Sequence, residues 1–154
     1  MGIFKKFEGV ESTMKNKYDF MAAFNPENTL VKEFEHWVIL VRGEQTTLGD
    51  CLFVIKRNIP TFSDMSAEES AELHIAIRWY EEKCRKLYGA DKFNYVAAMM
   101  RDNFAHFHAF PRYSKPVVRH GIEWIDDRWP RVIQFLPSKC TLDINALIVE
   151  ELRD

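Results

Sequence analysis

Residues 104–110 constrain the fold most, because histidine and phenylalanine alternate there with smaller or apolar residues. The stretch reads Phe-Ala-His-Phe-His-Ala-Phe. Read as a β-strand, it puts both histidines on the same face, since successive side chains of a strand point to opposite faces. That face carries Phe104, His106, His108 and Phe110. Pro111 cannot donate a hydrogen bond to a neighbouring strand, so we expect the strand to end there.

Two adjacent imidazoles allow several chemistries. A neutral imidazole can attack phosphorus or a carbonyl carbon while its neighbour binds or protonates an oxygen. His-x-His is also a metal-ligand spacing, with His120 or Asp102 as a distant third ligand. Alternatively, the two histidines are only packed and hydrogen-bonded on a half-buried strand. The spacing alone leaves these three interpretations open.

The composition is that of one globular domain. The chain has 154 residues, of which 47% are hydrophobic and 14% aromatic, and this is enough to bury a core. A formal net charge of -2 gives no global field that would attract nucleic acid or a membrane surface. Three widely spaced cysteines without a Cys-x-x-Cys pair argue against disulfides and against a zinc–thiolate site.

The same observations favour a cytoplasmic protein, because free cysteines are typical of a reducing compartment. No apolar run approaches the roughly 18 residues of a membrane span. Acidic residues interrupt the first twenty or so positions, which therefore lack the apolar centre of a secretory signal.

Four segments are predicted to form β-strands. They are residues 36–42, 51–56 and 93–100 and the histidine stretch. The first two are β-branched and apolar, and a polar connection with glycine at both ends joins them as an antiparallel hairpin. Residues 101–103 make a short turn, so the last two strands should form a tight hairpin.

Two helices are predicted. Ser66 and Glu69 form a capping box, and an amphipathic pattern follows until Gly89 ends the helix. Thr141 or Asp143 can cap a second helix near the end of the chain. The apolar stripe of this second helix consists of Ile144, Leu147, Ile148 and Leu152.

We divide the chain into an N-terminal extension over residues 1–28, a domain over 29–137 and a C-terminal helix of the same domain over 138–154. The extension contains too many aromatic side chains for a free tail, so we expect it to pack on the domain. Residues 25–28 predict a turn. The proline-rich region 114–137 is expected to be irregular.

The histidine stretch resembles the signature of the histidine triad superfamily, in which histidine alternates three times with an apolar residue and Pro-Arg often follows. The second and third histidines are present as His106 and His108, and Phe104 stands in place of the first. Residues 48–57 are similar to the glycine-led second strand of this superfamily, and residues 62–66 are similar to its Phe-x-Asp-Leu helix entry.

Asn94-Tyr95 resembles the hairpin of shorter bacterial members that are related to dinucleoside polyphosphate hydrolases. The resemblance implies an α+β domain with the histidine triad fold. Such a domain has a curved antiparallel sheet of about five strands, one long helix and a C-terminal helix, and it is usually paired into a homodimer.

The resemblance also implies a reaction. In the family, the middle histidine attacks the α-phosphorus of a nucleotide and forms a covalent nucleotidyl-imidazole, which water or another acceptor then resolves. Carried over to this chain, the nucleophile is His106. His108 matches the last histidine, which contacts the phosphate oxygens.

Substrate contacts are implied for five further residues: Asn94, Arg42, Asp50, Phe104 and Arg112. Two of these are departures from the family pattern. Phe104 keeps the backbone carbonyl that helps to orient the nucleophile, but it removes a polar side chain. Asp50 stands where many relatives carry another histidine. These departures motivate an alternative, a catalytically weakened nucleotide-binding or interaction module.

We therefore expect a nucleotide-binding protein that hydrolyses phosphoric anhydride or phosphoramidate bonds of nucleotides, or transfers the nucleotidyl group. Nucleoside polyphosphates such as diadenosine polyphosphates, or nucleotide conjugates, are the expected substrates. No cofactor is required in this interpretation, although magnesium can accompany a polyphosphate. The expected partners are the nucleotide and a second copy of the chain, without nucleic acid or membrane. A metal site on the two histidines is the third interpretation.

Overall fold

The computed structural model describes residues 18–136 and 140–153. Its centre is a five-stranded sheet in the order β1-β2-β3-β5-β4, and every pair of neighbours is antiparallel. The strands are β1 Leu30–Glu33, β2 Trp37–Val41, β3 Cys51–Ile55, β4 Lys92–Val96 and β5 His106–Arg112. The predicted α+β class with an antiparallel sheet of about five strands is confirmed.

The remaining elements surround this sheet. The helices are α1 Pro26–Thr29, α2 Ala67–Tyr88 and α3 Leu142–Arg153, and 3-10 turns cover Asp19–Phe24 and Phe62–Asp64. A separate hairpin pairs β6 Val117–Arg119 with β7 Ile122–Trp124. None of the helices in the described residues is long and apolar enough to cross a membrane.

Helix α2 begins and ends as its sequence predicts. The Ser66 hydroxyl accepts a hydrogen bond from the Glu69 backbone N–H at 3.1 Å, and a Glu69 carboxylate oxygen accepts one from the Ser66 N–H at 2.8 Å. This reciprocal pair satisfies two backbone donors that the first turn leaves free. At the other end, Gly89 adopts a left-handed conformation that stops the helix.

The sheet is covered on both faces, and β3 shows this most clearly because all five of its residues are buried. Since side chains alternate along a strand, Phe53 faces the α2 side and contacts Tyr80. Leu52 and Val54 point to the opposite face and belong to a second core with Met21 from the N-terminal segment. The second core also includes Tyr18, Val38, Leu40 and Phe104.

The stripe predicted for the C-terminal helix is partly wrong. Ile148 and Leu152 are buried, but Leu147 is exposed and Val149 is buried in its place. Helix α3 packs at the edge of the sheet, mainly against β1. An edge contact buries only a narrow apolar stripe. The periodicity of the sequence therefore does not determine whether Leu147 or Val149 is buried. Of the two predicted caps, Thr141 accepts a hydrogen bond from the Ile144 N–H.

The prediction that the histidine strand ends at Pro111 is wrong, because β5 continues to Arg112. Pro111 pairs with Phe93 of β4. On the other side of β5, strand β3 begins at Cys51, which lies opposite Ala109. Beyond Ala109, β5 therefore has a strand neighbour on one side only, and a proline without an N–H is tolerated at such an edge.

The connection between β4 and β5 is longer than predicted. β4 ends at Val96 rather than at residue 100, so the tight turn over 101–103 is wrong. Contacts outside the hairpin hold the loop, because the Ala105 N–H donates to the Ile59 carbonyl at 2.7 Å and Phe104 is buried in the second core. These long-range contacts outweigh the local turn pattern.

Two smaller predictions are also corrected. Region 114–137 contains the β6–β7 hairpin and is not wholly irregular, and residues 26–29 form a turn of helix rather than a simple turn. Residues 1–17 of the proposed extension lie outside the described residues. Residues 137–139, which span the predicted boundary between the domain and the C-terminal helix, also lie outside them. The described end of the extension, from Tyr18 to Phe24, packs on the sheet through the second core.

Replacing Ser66 by alanine should lower the free energy of unfolding by about 1 kcal/mol, because the variant loses the N-cap hydrogen bond. Chemical denaturation of both proteins measures the difference. Ser70→Ala is the matched control, since Ser70 is exposed on the first turns of the same helix. Equal stability of Ser66→Ala and Ser70→Ala would contradict the role of the cap.

Candidate functional site

Strand β5 presents the two histidines side by side on the face of the second core. His106 lies opposite Val54 of β3 and His108 opposite Leu52. Their ring centroids are 5.1 Å apart. The period-two alternation of β5 produces this arrangement, because the residues between and beside the histidines point to the α2 face.

A hydrogen bond to the backbone just before β5 holds His106 in one tautomer. Its Nδ1 lies 2.8 Å from the carbonyl oxygen of Phe104. A carbonyl oxygen only accepts hydrogen bonds, so Nδ1 carries the proton, and Nε2 of the neutral ring has a free lone pair. This is the tautomer that an imidazole nucleophile needs.

Aromatic rings cover His106, which is only 2% exposed. The Phe24 ring lies 5.4 Å from the imidazole and the Phe104 ring 5.1 Å, measured between centroids. Phe20 and Phe24 each contact Phe104 edge-on, at 5.2 and 5.5 Å. Phe104 is therefore a point where the N-terminal segment packs beside the histidine pair.

His108 is half-buried, and its Nδ1 has no hydrogen-bond partner in the described part of the chain. Burial, with smaller contributions from His106 and Arg42, lowers the pKa of His108 to about 4. The ring is therefore neutral at neutral pH. It stacks on Phe110 at 6.3 Å and meets Phe135 edge-on at 4.9 Å.

A pocket of about 440 Å³ opens beside His108, and this volume lies within the range of small-molecule sites. Arg42 lines the same pocket. Other walls come from the N-terminal segment, with Phe24 and Asn28, from the loop between β4 and β5, with Asp102, and from α3, with Asn145. The pocket therefore collects residues from both ends of the chain around one member of the histidine pair.

Arg42 is fixed against one wall of this pocket. One of its terminal nitrogens donates to the Glu44 carbonyl at 3.0 Å and to the Thr46 hydroxyl at 3.2 Å. The guanidinium also lies over the rings of Phe110 and Phe135, at 5.5 and 5.1 Å from their centroids. A cation is thus available within the pocket that His108 lines.

Asp50 is fully buried, and its carboxyl group forms hydrogen bonds with the loop before β3. It accepts hydrogen bonds from the backbone N–H groups of Thr46 and Thr47 and lies 3.7 Å from Arg42. Burial raises the pKa of Asp50 to about 7, while Thr47 and Arg42 oppose this shift. These partners occupy the Asp50 carboxyl group, and the expected contact of Asp50 with a substrate stays a prediction.

Asn94 and Arg112 lie farther along the sheet and bind each other. The Arg112 guanidinium donates to the Asn94 side-chain oxygen at 2.6 Å and to both carboxylate oxygens of Asp126 at 2.6 and 2.9 Å. The sequence analysis predicted that these two residues contact the same substrate as the histidines. The structure instead places them around a second, smaller pocket, which Trp129 and Arg131 also line.

No family model matches the chain, and a search of curated proteins gives no significant match. Solved structures do match. A histidine triad protein from Marinobacter aquaeolei VT8 has a TM-score of 0.66 at 20% identity, over 88% of this chain and 91% of that chain. A histidine triad protein from Sinorhizobium meliloti 1021 has a TM-score of 0.65 at 14% identity, over 85% and 91%.

A hypothetical histidine triad nucleotide-binding protein from Sulfolobus tokodaii strain 7 has a TM-score of 0.63 at 17% identity, over 88% of this chain and 89% of that chain. The chain has the histidine triad fold. The fold implied by the resemblance of residues 104–112 is thereby confirmed, and it extends over most of the described residues.

Within this histidine triad fold, the geometry gives no support to the metal interpretation. The described residues contain one group of three ligand atoms close enough for a shared ion, formed by Glu35, His36 and Glu72. Glu72 already accepts hydrogen bonds from the backbone N–H groups of Glu35 and His36. Of the two expected third ligands, His120 is paired with Glu151. Asp102 lines the pocket beside His108, but among the described residues it forms no group of three close ligand atoms with the histidine pair.

Sequence reasoning missed the residues that complete the pocket from outside the sheet, above all Phe24, Asn28 and Asn145. Each lies far from the histidines in sequence and reaches them only through tertiary packing. The surplus of aromatic residues before residue 25 was the one available signal. It predicted that the segment packs on the domain, but gave no position for it.

The low pKa of His108 predicts a loss of stability in acid. Between the ordinary histidine pKa of about 6.5 and the folded value of about 4, the unfolded chain binds the proton more tightly. The free energy of unfolding should therefore fall as the pH is lowered through this window. His108→Gln should lose less stability between about pH 7 and about pH 4.5, measured by urea denaturation.

NMR titration of the imidazole provides the direct check on this prediction. A His108 ring that titrates near the ordinary histidine pKa of about 6.5 would contradict the environment described above.

Proposed function

We propose that this protein binds nucleotides and cleaves them at the α-phosphate, as a hydrolase or a nucleotidyl transferase that acts through His106. The hydrogen bond from Nδ1 of His106 to the Phe104 carbonyl carries this proposal, because it fixes the ring and, in the neutral imidazole, places the lone pair on Nε2. The histidine triad fold supports it, and one of the matching structures is described as a nucleotide-binding protein.

In the proposed reaction, Nε2 of His106 attacks the α-phosphorus, and the bond to the leaving group breaks. A leaving phosphate departs with the bonding electron pair as an anion, and a leaving amine takes the pair together with a proton from water. The ring becomes positively charged in the nucleotidyl-imidazole, and its Nδ1–H then donates a charge-assisted hydrogen bond to the Phe104 carbonyl. Attack by water on phosphorus releases a nucleoside monophosphate and restores the neutral ring. Attack by another acceptor gives nucleotidyl transfer.

His108 and Arg42 are the proposed partners of the phosphate oxygens. A neutral His108 can donate its one N–H to a non-bridging oxygen without placing a second charge beside the reacting imidazole. Arg42 supplies positive charge from the wall of the pocket that His108 lines. Phe24, Asn28 and Asn145 would then contact the nucleoside, because they line the same pocket.

A second candidate, a nucleotide-binding or interaction module without turnover, is favoured by one observation. His106 is 2% exposed under Phe24 and Phe104. A phosphorus atom can reach Nε2 only if these rings move. If they do not move, a nucleotide can occupy the pocket beside His108 without reacting.

The assembly and location also belong to the proposal. A homodimer rests on the resemblance to histidine triad proteins. A cytoplasmic location rests on Cys51 and Cys84, which are buried free thiols, since free thiols are typical of a reducing compartment.

His106→Ala should abolish product formation, with a loss of at least about 10³-fold, because no other group replaces the nucleophile. Product analysis with a dinucleoside polyphosphate, a nucleoside phosphoramidate and a sugar nucleotide measures the release of nucleoside monophosphate. His74→Ala is the matched control and should keep full activity. Turnover by His106→Ala at the wild-type rate would exclude the covalent mechanism, and binding without any turnover by the wild type would favour the module.

Phe24→Ala should expose His106. Diethyl pyrocarbonate modifies accessible imidazoles, and peptide mass spectrometry follows the modification of each histidine over time. In the wild type, His106 should react more slowly than the exposed His74, and Phe24→Ala should accelerate His106 several-fold. Phe135→Ala is the control, because Phe135 contacts His108. An unchanged rate at His106 in a folded Phe24→Ala protein would show that Phe24 does not limit access.

A further inference from the structure

The second pocket, at the far end of β5, has a lining of unusual chemistry. Its volume is about 160 Å³. The polar side chains around it are those of Lys92, Asn94, Arg112, Trp129 and Arg131, and Pro130 and Val132 complete the wall. None of these lining residues is acidic.

Every polar side chain of this lining offers hydrogen-bond donors. Lysine, arginine and tryptophan side chains have no acceptor atom. Asn94 has one, but its oxygen already accepts from Arg112 at 2.6 Å and from the Ile133 N–H at 3.2 Å. Only the amide N–H groups of Asn94 remain for a ligand. A pocket that donates from all sides fits a ligand group that only accepts.

The pocket also carries excess positive charge. Asp126 neutralises Arg112, which it binds through both carboxylate oxygens. Lys92 and Arg131 are exposed, and no ion pair within the described residues involves either of them. The two uncompensated cations make the pocket attractive to an anion.

Arg112 gives the pocket a rigid base. It is buried, and its contacts with Asp126 and Asn94 fix the plane of the guanidinium while leaving further N–H groups without a partner among the described residues. A guanidinium held in place loses little conformational freedom when it binds an oxyanion.

The size of the pocket limits what it can hold. Its volume of about 160 Å³ is below the roughly 300 Å³ of a typical small-molecule site. One oxyanion group fits this space, whereas a whole nucleotide does not.

We propose that this pocket is a second anion site, which binds a phosphate-type oxyanion through Lys92, Arg112 and Arg131. It is separate from the histidine site, because Arg112 lies four residues beyond His108 and thus about 13 Å away along the strand. The two pockets have different lining residues. The inference therefore goes beyond the proposed reaction and does not depend on it.

Titration with inorganic phosphate, followed by two-dimensional NMR of the tryptophan indole N–H groups, tests the site. The Trp129 resonance, assigned with Trp129→Phe, should shift saturably. Lys92→Ala/Arg131→Ala should weaken binding at least about tenfold, because two charge-assisted contacts are lost. Arg78→Ala/Lys86→Ala removes the same charge from the exposed face of α2 and should bind phosphate like the wild type.

Phosphoethanolamine is the second probe and separates two sources of the anion. A site for free phosphate should bind inorganic phosphate more tightly, and a site for the phosphate group of a larger molecule should bind the monoester at least as well. An equal loss of phosphate affinity in both double variants would overturn the inference. The absence of a saturable shift of the Trp129 resonance with either probe would overturn it as well. His106→Ala should bind phosphate unchanged, so the failure of the proposed reaction and the failure of this site are distinguishable.

Discussion

The pairing of β3 with β5 is the interaction on which the rest of the site depends. Leu52 and Val54 lie opposite His108 and His106, and all residues of β3 are buried. A slip of one residue would place Leu52 and Val54 on the opposite face from the histidines, so either these two apolar side chains or both imidazoles would leave the face that they share. Burial of apolar side chains on both faces of β3 excludes that slip, so hydrophobic packing fixes the position of the polar groups.

The same packing separates the roles of backbone and side chain at Phe104. The carbonyl orients His106 and would do so with any residue at this position. The ring contributes to the second core with Phe20 and Phe24. The Phe104 carbonyl therefore holds the imidazole of His106, while the Phe104 ring forms part of the cover above it. The identity of the side chain at position 104 affects access to His106 rather than the orientation of its ring.

Local patterns predicted the fold well where neighbouring residues determine the structure. The alternation of residues 104–110 and the capping box at Ser66 both depend on short-range geometry, and both were found. The predictions failed where distant segments decide the outcome. Pro111 lies within β5 because β3 begins opposite Ala109, and no local rule contains that stagger. For the same reason, no local pattern predicts that Phe24 and Asn145 line the pocket beside His108.

The residues predicted to contact the substrate around the histidines fall into two groups, because β5 is long enough to separate them. A strand rises about 3.3 Å per residue, so the seven residues of β5 extend over roughly 20 Å. His106 and Arg112 share a face but cannot contact the same phosphate group. Between them, Phe110 packs against His108 and Phe135. An apolar contact thus divides the polar face of β5 into a neutral imidazole region at one end and a guanidinium region held by Asp126 at the other.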